Sequence, residues 1–288
     1  MDLCSPRQIA DLLSKHGFSF RKTLGQNFLT ARGVIDKIID SSPLSKDVGV
    51  LEIGPGIGVL TTELAQRAGK VVSVELDRRL APILDETLAG HDNVHIHYQD
   101  ALKVDYSALV KTHFEGLTPI VVANLPYQIT TPILAKLLET KLFSSLTVMM
   151  QKEVGARLVA SAGTGDYGAF SVFIAYYGQG EILFDVSPGS FMPAPKVTSS
   201  VVQITPHPAP PVTTPGDDLF FVVKAAFAKR RKTLLNCLSA ALPHVEKMVI
   251  EGILRDGEID PGIRGERLDL QDFARIADRL KSLLDNSN

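Results

Sequence analysis

The sequence predicts an α/β fold with a parallel sheet, followed by a small all-helical domain. Three observations predict it. Strand-like apolar runs alternate with helix-period segments from Val48 to about Met150, the alternation that builds a parallel sheet with right-handed crossovers. The stretch from Pro206 to Pro211, followed by Thr213-Thr214-Pro215-Gly216, excludes helix and central strand alike. From Asp217 to Leu284 apolar residues recur at helical period with no strand signal. These observations divide the chain into a sheet domain, 1–207, a linker, 208–216, and a helical domain, 217–288.

Taken in order, Ser5 to His16 reads as a short helix with a Ser cap and a Pro in its first turn. Ala31 to Ser41 is a second, with Val34, Ile35, Ile38 and Ile39 on one face. Val48 to Ile53 is a buried strand, followed by Gly54-Pro55-Gly56-Ile57-Gly58 and a helix from Val59 to Ala65. Val71 to Val74 is the next strand and ends in Glu75-Leu76-Asp77. Val94 to Tyr98 is the third and ends in Gln99-Asp100-Ala101. Pro119 to Ala123 is the fourth and ends in Asn124-Leu125-Pro126-Tyr127. Ser171 to Tyr177, Glu181 to Val186 and Ser199 to Ile204 read as later strands, the last two forming an antiparallel edge.

Parallel strands carry their carboxyl ends on one rim, where open α/β sheets bind ligands. The four tips Gly54, Glu75, Asp100 and Asn124 therefore share one site. The glycines permit a tight turn and close approach of a ligand to the backbone. Glu75, about twenty residues further on, is placed to take both hydroxyls of a ribose, and Asp100 suits an adenine amine. NAD shares much of this fingerprint. The Glu-x-Gly-x-Gly-x-Gly spacing and the acid at the third tip favour S-adenosylmethionine, which has no pyrophosphate needing a helix N-terminus. At the fourth tip Asn124 offers an amide oxygen, Pro126 a carbonyl without an N–H, and Tyr127 a flat aromatic face. That set suits a planar base carrying an exocyclic amine. The alternative for the tetrapeptide is a turn that only ends a strand.

Thr23-Leu24-Gly25-Gln26-Asn27-Phe28-Leu29, Glu52 to Gly58, Val74 to Asp77, Gln99 to Ala101, Asn124 to Tyr127 and Phe191-Met192-Pro193-Ala194-Pro195-Lys196-Val197 occur in this order. Together they resemble the ribosomal RNA adenine N6,N6-dimethyltransferases of the KsgA type, over nearly the whole chain. Thr23 stands where that family often has Ser. The resemblance implies a Rossmann-like, S-adenosylmethionine-dependent methyltransferase sheet and, as substrate, two adjacent adenosines near the 3′ end of small-subunit rRNA in 30S particles. It implies that Asn27 and Leu29 fold over the cofactor, beside Gly54, Gly56, Glu75, Leu76, Asp100, Ala101 and Asn124. It assigns the target base to Asn124, Leu125, Pro126 and Tyr127, with Phe191 closing the other face; core packing is the plain alternative for Phe191. Lys196 is a candidate phosphate contact. Phe227 to Asn236, with Arg230, Arg231 and Lys232, resembles the family's basic, RNA-binding helix.

Rival readings are an Erm-type large-subunit rRNA methyltransferase, a non-catalytic ribosome-assembly factor and a small-molecule methyltransferase. The Phe191–Val197 stretch and the basic cluster oppose the first. The intact acids and Asn-Leu-Pro-Tyr oppose the second, and the basic C-terminal cluster the third. The net charge of −2 is unusual for a nucleic-acid binder, so its distribution has to carry that reading. Cationic side chains concentrate at Lys229 to Lys232 and at Arg21-Lys22. No apolar run approaches the roughly 20 residues of a membrane span, and no signal peptide is read. The two cysteines, Cys4 and Cys237, form no disulfide framework, which suits a reducing cytoplasm. Neither they nor the histidines show metal-ligand spacing, so no metal is expected, and the protein is expected to be a monomer.

Overall fold

The computed structural model describes residues 1–21 and 25–284, the side chains of 282–284 excepted; the Lys22, Thr23 and Leu24 of the motifs above lie outside the described residues. The chain runs α1 (Pro6–Lys15), β1 (Phe28–Leu29), α2 (Arg32–Asp40), β2 (Val48–Ile53), α3 (Val59–Arg67), β3 (Lys70–Glu75), α4 (Ala81–Thr87), β4 (Val94–Tyr98), α5 (Tyr106–His113), β5 (Thr118–Asn124), α6 (Thr130–Glu139), β6 (Leu146–Gln151), α7 (Lys152–Val159), α8 (Ala169–Tyr177), β7 (Gly178–Val186), β8 (Phe191–Met192) and β9 (Ser199–Pro206). The helices α9 (Gly216–Phe227), α10 (Leu234–Ala241), α11 (Lys247–Asp256) and α12 (Leu270–Leu284) follow.

The main sheet has seven strands in the order β4-β3-β2-β5-β6-β9-β7. Its first five strands are parallel, and β9 is antiparallel to β6. All six residues of β2 are buried, as a central strand covered on both faces requires. The apolar faces of α1 and α2, through Ile9, Leu12, Ile35 and Ile38, join Val50, Val71, Ile120 and Met149 in one core. A short antiparallel pair, β1 with β8, sets Phe28 against Met192 and Leu29 against Phe191.

The chain packs as two compact units, 1–155 with 181–206, and 156–180 with 207–288. This division differs from a contiguous sheet domain 1–207, because residues 156–180 belong with the C-terminal helices. The segment Ser171–Tyr177, expected as a strand, is the helix α8. Its β-branched and aromatic residues suit a strand locally, but tertiary packing overrides propensity. Val172 and Tyr176, one helical turn apart, enter a core with Leu219, Val222 and Val223 of α9. Ser171 Oγ accepts the Gly168 N–H at 3.1 Å where the helix begins. Residues 208–215 of the linker have no regular structure, and Gly216 already begins α9, yet Val212 packs on that same core and Thr214 is buried.

Candidate active site

β2 lies between β3 and β5, so the chain leaves it in one direction along the sheet and later returns on the other side. Loops diverge at such a point and leave a crevice. There a cavity of ≈ 250 Å³ is lined by Gly54, Glu75, Asp100 and Asn124, with Gly25 to Phe28 contributing another wall. All four predicted strand tips therefore meet. Asn27, Gly56, Leu76, Ala101, Leu125, Pro126 and Tyr127 line the same cavity.

The glycine bend follows from backbone geometry. Gly54 and Gly56 have φ of 73° and 59°, a region that side chains rarely adopt. A Cβ on Gly56 would stand 2.9 Å from Phe28 Cδ1, so any larger residue would push the β1 segment away. Two carboxyls sit behind the bend. Glu52 is 1% exposed, and its Oε2 accepts from Thr61 Oγ1 at 2.7 Å and Ser73 Oγ at 2.6 Å. Glu75 is 7% exposed and accepts the Asp77 N–H at 2.7 Å. Burial raises both carboxyls to about 7, against the lowering effect of their hydrogen bonds. For Glu75 those bonds include backbone N–H groups of Leu76 and Gly56.

Asp77 is held low by the Arg79 guanidinium, with burial acting against it and Gln26 helping. Arg79 Nε donates to Asp77 Oδ1 at 2.9 Å and Gln26 Nε2 to Oδ2 at 2.9 Å. Gln26 in turn accepts the Arg21 N–H at 2.9 Å, which ties the N-terminal segment to the tip of β3. Asp100 caps the turn after β4, accepting the Leu102 N–H at 3.0 Å. Leu76 is 56% exposed although it lines the cavity, an apolar surface that a bound flat base would cover.

At the fourth tip, Asn124 Nδ2 donates to the Asn27 carbonyl at 3.5 Å, which leaves Oδ1 as its acceptor atom. The Pro126 carbonyl is a correction to the sequence reading. It accepts from Ile129 N at 3.1 Å and Thr130 Oγ1 at 3.2 Å, so its two lone pairs serve the start of α6. The Tyr127 hydroxyl meets Ser199 Oγ at 2.6 Å, and burial pushes its phenol up.

Other expected residues stand elsewhere. Phe191 is 5% exposed and Leu29 4%; they pair across β1 and β8 in the core and do not line the cavity. Phe191 thus takes the core-packing role, buried among the apolar side chains of the main core. Lys196 is exposed on the segment before β9. Lys229 to Lys232, expected on a helix, form an exposed turn between α9 and α10, closed by Lys232 N–H to Lys229 O at 2.9 Å. Thr233 restarts the chain as the cap of α10. Arg230 Nη2 donates to Gly165 O at 3.0 Å, with Glu266 3.8 Å from its Nε. Sequence reasoning assigned no role to Gln26, Gln99, Leu102 or Ile129, which also line the cavity; membership of the quoted motifs was the available signal for the first two.

A glycine bend, a buried acid at the next strand tip and an Asn-Leu-Pro-Tyr turn opposite define an α/β methyltransferase site. Solved structures agree with that class. A dimethyladenosine transferase from Plasmodium falciparum superposes with a TM-score of 0.75 at 26% identity, covering 88% of this chain and 98% of that one. The 23S rRNA methyltransferase ErmE superposes at 0.64 with 28% identity, over 88% and 100%. The proteins called ribosomal RNA small subunit methyltransferase A from Geobacillus sp. (strain WCH70) and Bacillus cytotoxicus are 46% and 48% identical. These cover 98% and 97% of this chain and 99% and 97% of their own lengths. The family described as ribosomal RNA adenine dimethylase matches residues 17–278, and the chain belongs to it: the protein is an rRNA adenine dimethyltransferase.

Proposed function

We propose that the enzyme dimethylates N6 of two adjacent adenosines near the 3′ end of 16S rRNA in 30S particles, with S-adenosylmethionine in the strand-tip cavity. The observation that carries this is the meeting of Glu75, Asp100 and Asn124 to Tyr127 around one cavity. The residues fit the cofactor. The positive φ of Gly54 and Gly56 disfavours side chains at the bend, Glu75 is a buried carboxyl that would accept from ribose hydroxyls, and Asp100 and Leu76, which line the same cavity, would hold the adenine. When bound, the cofactor supplies a methyl group on a sulfonium, an electrophile that needs no activation.

The protein's task is the nucleophile. The N6 lone pair of adenine is delocalised into the ring, and two acceptors holding its N–H bonds turn it toward the methyl group. Asn124 Oδ1 is one acceptor. With the Pro126 carbonyl engaged, the Leu125 carbonyl in the same turn is the other. This is catalysis by orientation and fixed dipoles. Tyr127 offers the stacking face. The base must be flipped out or already single-stranded to arrive. Phosphate contacts from Lys196 and from the exposed turn Arg230, Arg231 and Lys232 hold the surrounding RNA, as RNA recognition by shape requires. The enzyme works as a monomer without a metal, in the cytoplasm where ribosomes are assembled.

The test is methyl transfer from labelled cofactor to 30S particles lacking the modification, with the acceptor base mapped by mass spectrometry. The expected product is two adjacent dimethyladenosines in 16S rRNA. Protein-free 23S rRNA is offered in a parallel reaction; transfer to it with none to the 30S particles would instead support the large-subunit reading.

A further inference from the structure

Tyr127 has two independent anchors, and they come from different parts of the chain. Its backbone belongs to a turn held from both sides: the Leu125 N–H donates to Met149 O at 3.0 Å, and Pro126 O accepts from Ile129 N at 3.1 Å. Those bonds fix where the Tyr127 Cα stands but not where its ring points. The ring is held at its far end, where the hydroxyl meets Ser199 Oγ at 2.6 Å. Ser199 is 0% exposed and is the first residue of β9, paired with Gln151 at the end of β6. Its backbone is therefore part of the sheet. The adjoining Lys152 N–H donates to Thr198 O at 3.0 Å, which extends the same register past the strand end. A short hydroxyl–hydroxyl contact to a strand residue is a rigid stop for a ring whose only other freedom is rotation about its side-chain bonds.

We infer that Ser199 is a positioning residue for methyl transfer, which sets the plane of the Tyr127 ring and through it the tilt of the target adenine. The inference rests on the reading of Tyr127 as the stacking platform for that base. It accounts for a buried serine at a site where any small apolar residue would fill the space. It also explains how a strand running antiparallel to its neighbour contributes to a site otherwise built from parallel strand tips. In-line attack depends on the angle between the N6 lone pair and the methyl group, and errors of about 1 Å in such alignments cost up to about a hundredfold in rate.

The experiment compares Ser199→Ala, Tyr127→Phe, their double variant and Tyr127→Ala in the full-length enzyme acting on unmethylated 30S particles. Melting temperature and cofactor Kd are measured alongside. Ser199→Ala and Tyr127→Phe break the same hydrogen bond from opposite ends, so either alone is informative should the other fold poorly. The expected result is a loss of about fivefold or more in kcat for each. KM for particles and cofactor Kd stay within about twofold, and the double variant falls no further than the singles, the signature of a coupled pair. Fold losses that multiply in the double variant, or a Ser199→Ala enzyme with parental kcat, would overturn the positioning role. Tyr127→Ala separates the two levels of the argument. If it retains parental turnover, the platform reading itself fails; if it is crippled while Ser199→Ala is normal, only the role of Ser199 fails.

Discussion

The rim of the strand-tip cavity and the turn between α9 and α10 are both polar, and they are built in opposite ways. At the rim the charged groups are few and held. Glu75 and Asp77 are 7% and 6% exposed, and each accepts hydrogen bonds from its neighbours. At the turn, Lys229, Arg230, Arg231 and Lys232 are all exposed, and Arg230 makes one hydrogen bond and one long ion pair. The difference matches the two kinds of ligand proposed for them. A nucleoside offers a handful of hydrogen bonds and must be met by groups already desolvated and oriented. A phosphate backbone offers charge at intervals, and long, solvated cations follow it at little cost. A net charge of −2 is compatible with RNA binding because only one of these regions has to be cationic.

The sharpest way to break this comparison is at the rim. Asn124→Ala should lower the methylation rate by roughly a hundredfold or more, the loss typical of one preorganised polar group at a reacting centre. Cofactor affinity should stay near parental, since the Nδ2 hydrogen bond to Asn27 is long at 3.5 Å. Single-turnover transfer to 30S particles, with calorimetry for the cofactor, measures both. Normal turnover would remove the orientation mechanism.

The next effect concerns the acid at the second tip. Glu75→Ala should weaken cofactor binding by about 1.5–3 kcal/mol, one or more charge-assisted hydrogen bonds. Burial raises Glu75 to about 7, and hydroxyl donors favour its ionised form. Cofactor affinity in the parent should therefore rise with pH up to about 7 and level off above it, with a proton released on binding below that pH, and Glu75→Gln should flatten the rise. A calorimetric titration at several pH values showing the same slope in both proteins would disprove the assignment.

Glu52 extends the contrast into the core. Its folded-state carboxyl is raised to about 7 by burial, above the unfolded value of about 4.3. The native state then binds more protons than the unfolded chain between those values, so stability falls as pH rises through that window. Each raised carboxyl contributes on the order of 3 kcal/mol to the change, and Glu75 acts in the same direction. The ligand-free protein should melt at higher temperature at pH 5.5 than at pH 8. Glu52→Gln should reduce the difference; a melting temperature equally pH-dependent in that variant would show that Glu52 is not the group titrating.

The cavity was legible because each of its corners stands at or just past the end of a strand-like run, and parallel pairing brings such corners together without further information. Gly54, Glu75, Asp100 and Asn124 needed only strand ends and order. What was not legible depended on how the chain turns after a strand and on interactions distant in sequence. The Pro126 carbonyl looked free until the start of α6 was seen to use it. The resemblance set Phe191 at the target base, with core packing as the alternative, and its packing in the core with Leu29 decided between them. The link from Gln26 to Asp77 spans 51 residues. Local composition misled at α8, where Val172 and Tyr176 find their partners on α9, and at the basic turn, where helix-forming residues lie between two helices.

The smallest effect is expected at that turn, and it separates its own members. Neutralising Arg231 and Lys232 together should weaken binding to 30S particles severalfold at moderate salt. It should lower the slope of log affinity against log salt by about 0.7–0.9 for each phosphate that is no longer neutralised. Adding Arg230→Gln should change the slope less than either, because that guanidinium already donates to Gly165 O at 3.0 Å and would have to exchange one partner for another. Cofactor affinity should not move, since the cavity is lined by residues between Gly25 and Ile129. A salt series on the double and triple variants decides it. Parental slopes in both would mean that these side chains face solvent, and that the polyanion is held elsewhere. A slope change carried mainly by Arg230 would mean that its bonds to Gly165 and Glu266 are exchanged for phosphate on binding.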